Sequence, residues 1–284
     1  MKYSVSIYSF NQKLSSGELT VDDCISKTAE MGFDAIEFTD SVFAGKKNKN
    51  EYAEYLKIKC KSVGLEISNF AVSADLLNGG DETISKLKEF ADLAHIMGCP
   101  TLRHDVAGGA PEGSQCGYEG IVSKLAERCR EVTEYASTLG VKTMTENHGF
   151  FSQDSIRVEK LINIVNNSNF GMLVDMGNFL CADDDPATAV GRCAPYAFYV
   201  HAKDFIVKNG TGPNPGEGFF MSRAGNFLRG TIVGHGDVPV IQCIRALKRV
   251  NYDGYISLEF EGMEDCVNGI TIGFDNLKKY VASA

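Results

Sequence analysis

Four short apolar runs in this sequence each end on a group able to carry charge or bind a metal. VKTMTE ends on Glu146, GMLVD on Asp175, AFYVH on His201 and YISLE on Glu259. Charged side chains are rarely buried without a partner. If the runs are neighbouring strands, their ends crowd three carboxylates and one imidazole together, and a cation relieves the repulsion most simply. This donor set suits one divalent ion, Mn2+ or Mg2+ first, with Co2+ or Zn2+ as further options. Taken singly, each residue has a plainer role. A strand-end glutamate can form a rim ion pair, Asp175 can cap the following turn, and His201 can be a hydrogen-bonded core histidine. The set as a whole, on consecutive strands, points to a metal centre.

Other polar groups stand at comparable positions. His148 lies two residues beyond Glu146, on the same face if the strand continues, and in a loop it could reach substrate. His104, Asn178, Lys203 and Arg223 are candidates for substrate contact. Lys203 could steer an oxyanion or pair with Asp204. Arg103, His104 and Asp105 together could equally form a structural network. Glu37 is expected to hold the mouth of the fold together. Arg223 and Arg229 could take an anionic group or remain solvated loop charges.

These positions have meaning only if the elements around them deliver them to one place. Strand-like runs occupy Tyr3–Phe10, Asp34–Phe38, Leu65–Ser73, Pro100–His104, Val141–Glu146, Phe170–Asp175, Ala197–His201 and Tyr255–Phe260. Helical spacing occupies Val21–Met31, Glu51–Val63, Glu82–Met97, Tyr118–Leu139, Ser155–Asn166, Pro186–Cys193 and Val238–Val250, with a closing helix that includes Gly273–Val281. Thr20 is a plausible N-cap, with Asp22 and Asp23 in the first turn behind it. In MGFDAIEF, MGCPTLRH and LGVKTMTE a glycine stops a helix just before the next strand. Strands alternating with helices favour a parallel sheet, and eight such units predict closure into a single (β/α)8 TIM barrel, α/β in class and spanning residues 1–284 as one domain. In that architecture the C-terminal ends of the strands carry the active site. One stretch breaks the rhythm: residues 204–237 are long, rich in glycine and follow strand seven. Connections of that length are usually functional or disordered, and this one lies where it could move over the site.

Composition narrows the partners. The chain has 284 residues, 44% hydrophobic and 23% charged, with a net charge of −9. Such a surface repels a phosphate backbone, so nucleic acid is not the expected partner. No run reaches the roughly 18 apolar residues of a membrane span, and the start MKYSVSIYSFNQ is no signal peptide. Nine scattered cysteines without a CxxC pair read as reduced thiols in a cytoplasmic protein. No phosphate loop, dinucleotide fingerprint or GxSxG elbow is present. A homo-oligomer remains open.

TENH, VDMGN, VHAKD, GHGDVP and YISLEFEG together resemble the xylose isomerase-like barrels, and more narrowly the sugar phosphate isomerase/epimerase group with its ketose 3-epimerases and inosose dehydratases. The resemblance implies that Glu146, Asp175, His201 and Glu259 bind the metal, and that Glu146 and Glu259 act as acid and base on opposite faces of a sugar. It implies a divalent-metal-dependent isomerase or epimerase on a small-molecule sugar, keto-sugar or polyol. The sequence departs from the ketose 3-epimerases at Asn178, where they carry histidine, and at Val207, where they carry arginine; both positions hold substrate in that subgroup. The ENH motif, with His148 as a candidate acid or base, resembles members acting by elimination. That implies the alternative of a lyase or dehydratase on a keto-inositol or 3-keto-glycoside.

Overall fold

Short apolar segments bounded by glycines and polar turns form the inner layer of the protein, described over residues 1–284 by a computed structural model. In chain order the strands are β1 (Lys2–Ser6), β2 (Ala35–Thr39), β3 (Glu66–Val72), β4 (Thr101–His104), β5 (Lys142–Glu146), β6 (Phe170–Asp175), β7 (Ala197–Ala202), β8 (Asp204–Lys208), β9 (Phe220–Met221), β10 (Phe227–Thr231) and β11 (Tyr255–Leu258). The helices are α1 (Asn11–Ser15), α2 (Val21–Glu30), α3 (Lys49–Ser62), α4 (Gly80–Met97), α5 (Tyr118–Thr138), α6 (Ser155–Val165), α7 (Pro186–Cys193), α8 (Val240–Arg249) and α9 (Cys266–Ser283). Eight strands close into a parallel barrel in the order β1-β11-β7-β6-β5-β4-β3-β2, which is the predicted (β/α)8 architecture.

Strand alternation gives each stave two faces. Ile36, Phe38, Leu102, Val174, Val200 and Leu258 are fully buried in the main apolar core, between barrel and helices. Met144, Leu173 and Tyr199 form a separate apolar cluster, and the Tyr199, Ser68 and Ser4 hydroxyls form a hydrogen-bonded chain with 2.7 Å spacings. Two residues further along the same strand faces come Glu146, Asp175 and His201. The parallel register sets Asp175 opposite His201 across β6 and β7. A single pattern, apolar residue then charged residue at i+2, thus lifts the reactive groups from the packed interior to the mouth.

The helix boundaries follow local chemistry. Thr20 and Asp23 form a reciprocal capping box at the start of α2. Gly98 closes α4 in the left-handed conformation, with φ of 70°. The first strand is shorter than expected, because residues 7–10 wind into a 3-10 turn. Ile7 and Phe10 are both buried, and their spacing of three fits one face of that turn as well as it fits an apolar run.

The long stretch after β7 is ordered rather than a bare loop. β8 pairs antiparallel with β10, which also pairs with β9. Asp204 ties its start to its end: the buried carboxylate accepts backbone N–H bonds from Gly234, Gly236 and Val238 at 2.8, 2.9 and 3.0 Å. A Cβ at Gly236 would lie 2.2 Å from Asp204 Oδ1, so this close approach requires glycine. No helix of the chain is long and apolar enough to cross a membrane. All nine cysteines are free, and only Cys116 is exposed.

Candidate metal centre

Glu146, Asp175, His201 and Glu259 each offer one ligand atom, and these four atoms lie within 4.8 Å of one another. From His201 Nδ1 the distances are 3.4 Å to Glu259 Oε2, 3.6 Å to Asp175 Oδ2 and 4.0 Å to Glu146 Oε1. Donors held about 2.0–2.2 Å from one ion stand roughly 3–4 Å apart. Asp175 Oδ2 and His201 Nδ1 are buried without a hydrogen-bond partner, which is costly unless something else engages their lone pairs. These residues could therefore hold a divalent ion. Asp175 also resolves its two candidate roles: Oδ1 accepts the backbone N–H groups of Gly177 and Asn178 and caps the turn, while Oδ2 faces the centre.

Electrostatics argue the same way. Asp105, Glu37 and Glu261 join the three clustered carboxylates around the mouth, against Arg103 and Lys203 as permanent cations. Two carboxylates about 4 Å apart repel by about 4 kcal/mol at an effective dielectric of 20. Lys203 relieves part of this, with Nζ 2.7 Å from Glu259, 3.3 Å from Glu261 and 3.5 Å from Asp175. Burial alone would raise the Glu259 carboxyl pKa, but the Lys203 and His201 charges hold it well below the usual range. Burial would likewise lower the His201 pKa; the charges of Glu37 and Glu259 raise it well above that of ordinary imidazole. For Glu146, burial outweighs the neighbouring Arg103 and the shift is upward.

Glu37 does more than brace the mouth. Its carboxylate takes His201 Nε2 at 3.0 and 3.1 Å and so aims Nδ1 at the centre. Asn69 Nδ2 donates to Glu37 at 2.9 Å, and Thr101 Oγ1 donates to Asn69 Oδ1 at 2.8 Å. Partners of this kind fix the ring orientation of a ligating histidine and are worth 10–100-fold in metal affinity. Glu37→Gln is accordingly expected to weaken Mn2+ binding by about 10–100-fold in titration calorimetry. Unchanged affinity would show that His201 needs no such support.

Above the four residues opens a cavity of about 370 Å³, lined among others by Arg103, Asp105, Glu146, His148, Lys203 and Glu259. His148 is half-exposed, and its Nδ1 is bonded to Asp105 Oδ1 at 2.9 Å, leaving Nε2 free. Asp105 is itself held by Arg103 Nη2 at 2.7 Å, and Arg103 Nε lies 2.7 Å from Glu146 Oε2. A larger cavity of about 560 Å³ lies beside Lys142, Phe198 and Tyr255, at the opposite end of the barrel from the strand C-termini. It contains none of the four clustered residues.

Three of the substrate-contact expectations need correction. His104 points away from the cavity, as strand alternation requires once Arg103 points in; its Nδ1 engages the Asp105 carbonyl and burial lowers its pKa to about 4. Arg223 does not line the cavity; it clamps the excursion to the β5–α6 connection through Asp154 at 2.9 Å and the Phe150 carbonyl. Asn178 is buried beneath the mouth, where it donates to Glu146 Oε1 at 2.8 Å and accepts from Lys203 at 3.3 Å. It holds the other groups in place rather than facing the opening. Lys203 does line the cavity. The sequence reading missed Asn69, Thr101 and Tyr8, and also Asn147, whose side chain pairs with the Asp175 backbone at 2.9 Å in both directions. The direct neighbourhood of Asn147 to Glu146 was the available signal.

An inosose dehydratase of Clostridium perfringens (strain 13 / Type A) is 25% identical over 257 residues, covering 86% of this chain and 83% of that protein. Among solved structures, the IOLI protein with a binding zinc atom superposes with a TM-score of 0.77 at 15% identity, covering 100% of this chain and 99% of that one. D-psicose 3-epimerase of Clostridium cellulolyticum H10, with D-tagatose, gives a TM-score of 0.76 at 14% identity, with 99% of each chain covered. Residues 25–280 match the xylose isomerase-like TIM barrel, and the chain belongs to that family.

Proposed function

We propose that this chain removes a proton from the carbon beside the ketone of a neutral cyclic keto-sugar or keto-polyol and expels the β-substituent, as a metal-dependent dehydratase or lyase. The observation that carries this reading is the His148–Asp105 pair facing the same cavity as Glu146, His201 and Glu259, three of the four clustered residues. Elimination needs a base for the C–H and a separate acid for the leaving group. Glu259 is the base: it is ionised, and only its Oε2 is engaged, by Lys203 and beside His201. His148 is the acid: Asp105 fixes the ring, and Nε2–H hands its proton to the departing hydroxyl or alkoxide, which leaves as water or an alcohol. A divalent ion held by Glu146, Asp175, His201 and Glu259 would polarise the ketone oxygen and acidify the adjacent C–H.

Arg103 and Lys203 are already matched by carboxylates, so the cavity offers no spare cation for a phosphate. This favours an unphosphorylated substrate. The inosose dehydratase relative supports the same reaction class. The departures at Asn178 and Val207 count against ketose epimerisation, the reading the sequence placed first. Epimerisation keeps one supporting observation, since Glu146 and Glu259 both line the cavity and could exchange protons with one carbon. Against it, both Glu146 oxygens already hold partners. The donor set favours Mn2+, Mg2+ or Co2+ on its oxygen count, and the zinc-bearing structural neighbour supports Zn2+.

The test uses metal-stripped protein and an inosose in D2O, followed by NMR. Loss of water is expected only after a divalent ion is added and should stop with chelator. At an ion concentration of 100 Kd, binding should also stabilise the fold by about 2.7 kcal/mol. Deuterium exchange beside the ketone without elimination would return epimerisation to first place. Absence of both exchange and elimination, over a panel of keto-sugars and metals, would sink the proposal.

A further inference from the structure

The cavity above the clustered residues has two unlike walls. The strand order sets β2 and β3 across the barrel from β6 and β7. Glu146, His201 and Glu259 belong to one side, and Thr39, Asp40 and Ser41 at the end of β2 line the other. Asp40 opens a 3-10 turn, Asp40–Phe43, in which Val42 and Phe43 are buried. Phe43 packs edge-on against Phe70 with ring centroids 5.6 Å apart. This apolar anchor holds the half-buried Asp40 side chain at the cavity wall.

Asp40 differs from the other carboxylates of this cavity in having no partner side chain. Asp105 is held by Arg103 and His148, Glu146 by Arg103 and Asn178, and Glu259 and Glu261 by Lys203. Lys86 and Arg103 act on Asp40 only at range, and Lys86 lies over the Phe90 ring at 5.3 Å. Burial raises the Asp40 pKa, so leaving this group unpaired has a cost. Beside it the Thr39 and Ser41 hydroxyls bond each other at 2.7 Å, which leaves one O–H of the pair to donate outward. A carboxylate acceptor next to a hydroxyl donor suits groups that both give and take hydrogen bonds, as ring hydroxyls do; an ammonium could only give. A bound cation would need further donors, and the nearby Asp105 is already engaged. Resting on the reading of this cavity as a metal-centred keto-sugar or keto-polyol site, we infer that Asp40 is its specificity-determining residue, its two carboxylate oxygens accepting from a vicinal pair of hydroxyls on the ring edge turned away from the clustered residues.

The test measures binding to the Mn2+-loaded protein by calorimetry and saturation-transfer NMR. Two inert rings serve as probes: trans-1,2-cyclohexanediol, whose single diol is taken up at the metal, and myo-inositol, which carries further vicinal hydroxyls for Asp40. The parent should bind myo-inositol at least ten-fold tighter than the diol. Asp40→Ala should weaken myo-inositol about ten-fold or more, the loss of hydrogen bonds to a charged group, and leave the diol within two-fold of the parent. Asp40→Asn keeps one acceptor oxygen in the same shape and should fall between parent and Asp40→Ala. Mn2+ affinity and thermal midpoint should be the same in all three proteins, which a merely structural role for Asp40 would not allow. Two results overturn the inference and leave the sugar site standing: myo-inositol affinity unchanged in both variants, or an equal loss for both rings. Metal uptake by the parent with neither ring bound overturns the inference and the sugar site together.

Discussion

Glu259→Gln is expected to lower turnover by about 10³-fold, within the 10²–10⁴-fold span of a positioned proton-transfer group. Glutamine preserves the shape of the side chain but cannot accept a proton from carbon. It also removes one of the three negative charges that would hold the ion. The two losses separate experimentally. If the base role dominates, saturating metal leaves kcat depressed and α-proton exchange with D2O disappears. If only the ligand role matters, excess Mn2+ restores the rate. Lys203 supplies a control: with Glu259 neutral, its ammonium retains Asp175 and Glu261 within 3.5 Å, so the mouth should stay folded. A Glu259→Gln protein with a rate within ten-fold of the parent at saturating metal would remove Glu259 from proton transfer.

The fold was legible because its signals are local and repeated. β6 could be bounded to the residue, since FGMLVD is a near-continuous apolar run, as a strand buried on both faces must be. The four clustered residues were legible for a related reason: each ends or directly follows such a run, where a charge has no apolar explanation. What stayed hidden depends on facing and on distance across the chain. Arg103 and His104 are adjacent, and only strand phase decides which enters the mouth; the apolar pattern of a four-residue strand is too short to fix it. Glu37 lies 164 residues from His201, so a pairing across β2 and β7 leaves no trace in sequence spacing. The excursion after β7 hid its strands because glycine and proline at its tip dominate the composition. The anchoring role of Asp204 depends on backbone N–H groups, which every residue type but proline supplies.

His148→Ala is the second large effect and the one that separates the two reaction classes. If His148 donates the leaving-group proton, the variant should lose 10²–10⁴-fold in elimination while α-proton exchange, driven by Glu259 and the metal, persists. Half-exposed and outside the ligand set, His148 can be removed without opening the core, so metal affinity and thermal stability should hold. The pH profile supplies an independent readout. Burial pulls the His148 pKa down, but the hydrogen bond to Asp105 and the Glu146 charge outweigh it, and the net shift is upward. Its protonated form therefore persists to higher pH than in an ordinary imidazole, and elimination should fall as pH rises through that raised pKa. Asp105→Asn removes the charge that raises it, so the same limb should move to lower pH, and in His148→Ala it should vanish. An epimerase working through Glu146 and Glu259 alone would show none of this: His148→Ala would stay within about three-fold of the parent, because a group that transfers no proton contributes nothing of that size. The ratio of exchange to elimination in one NMR experiment thus assigns the chemistry, because in the proposed elimination Asp105 and His148 act on the departing oxygen and take no part in returning a proton to carbon.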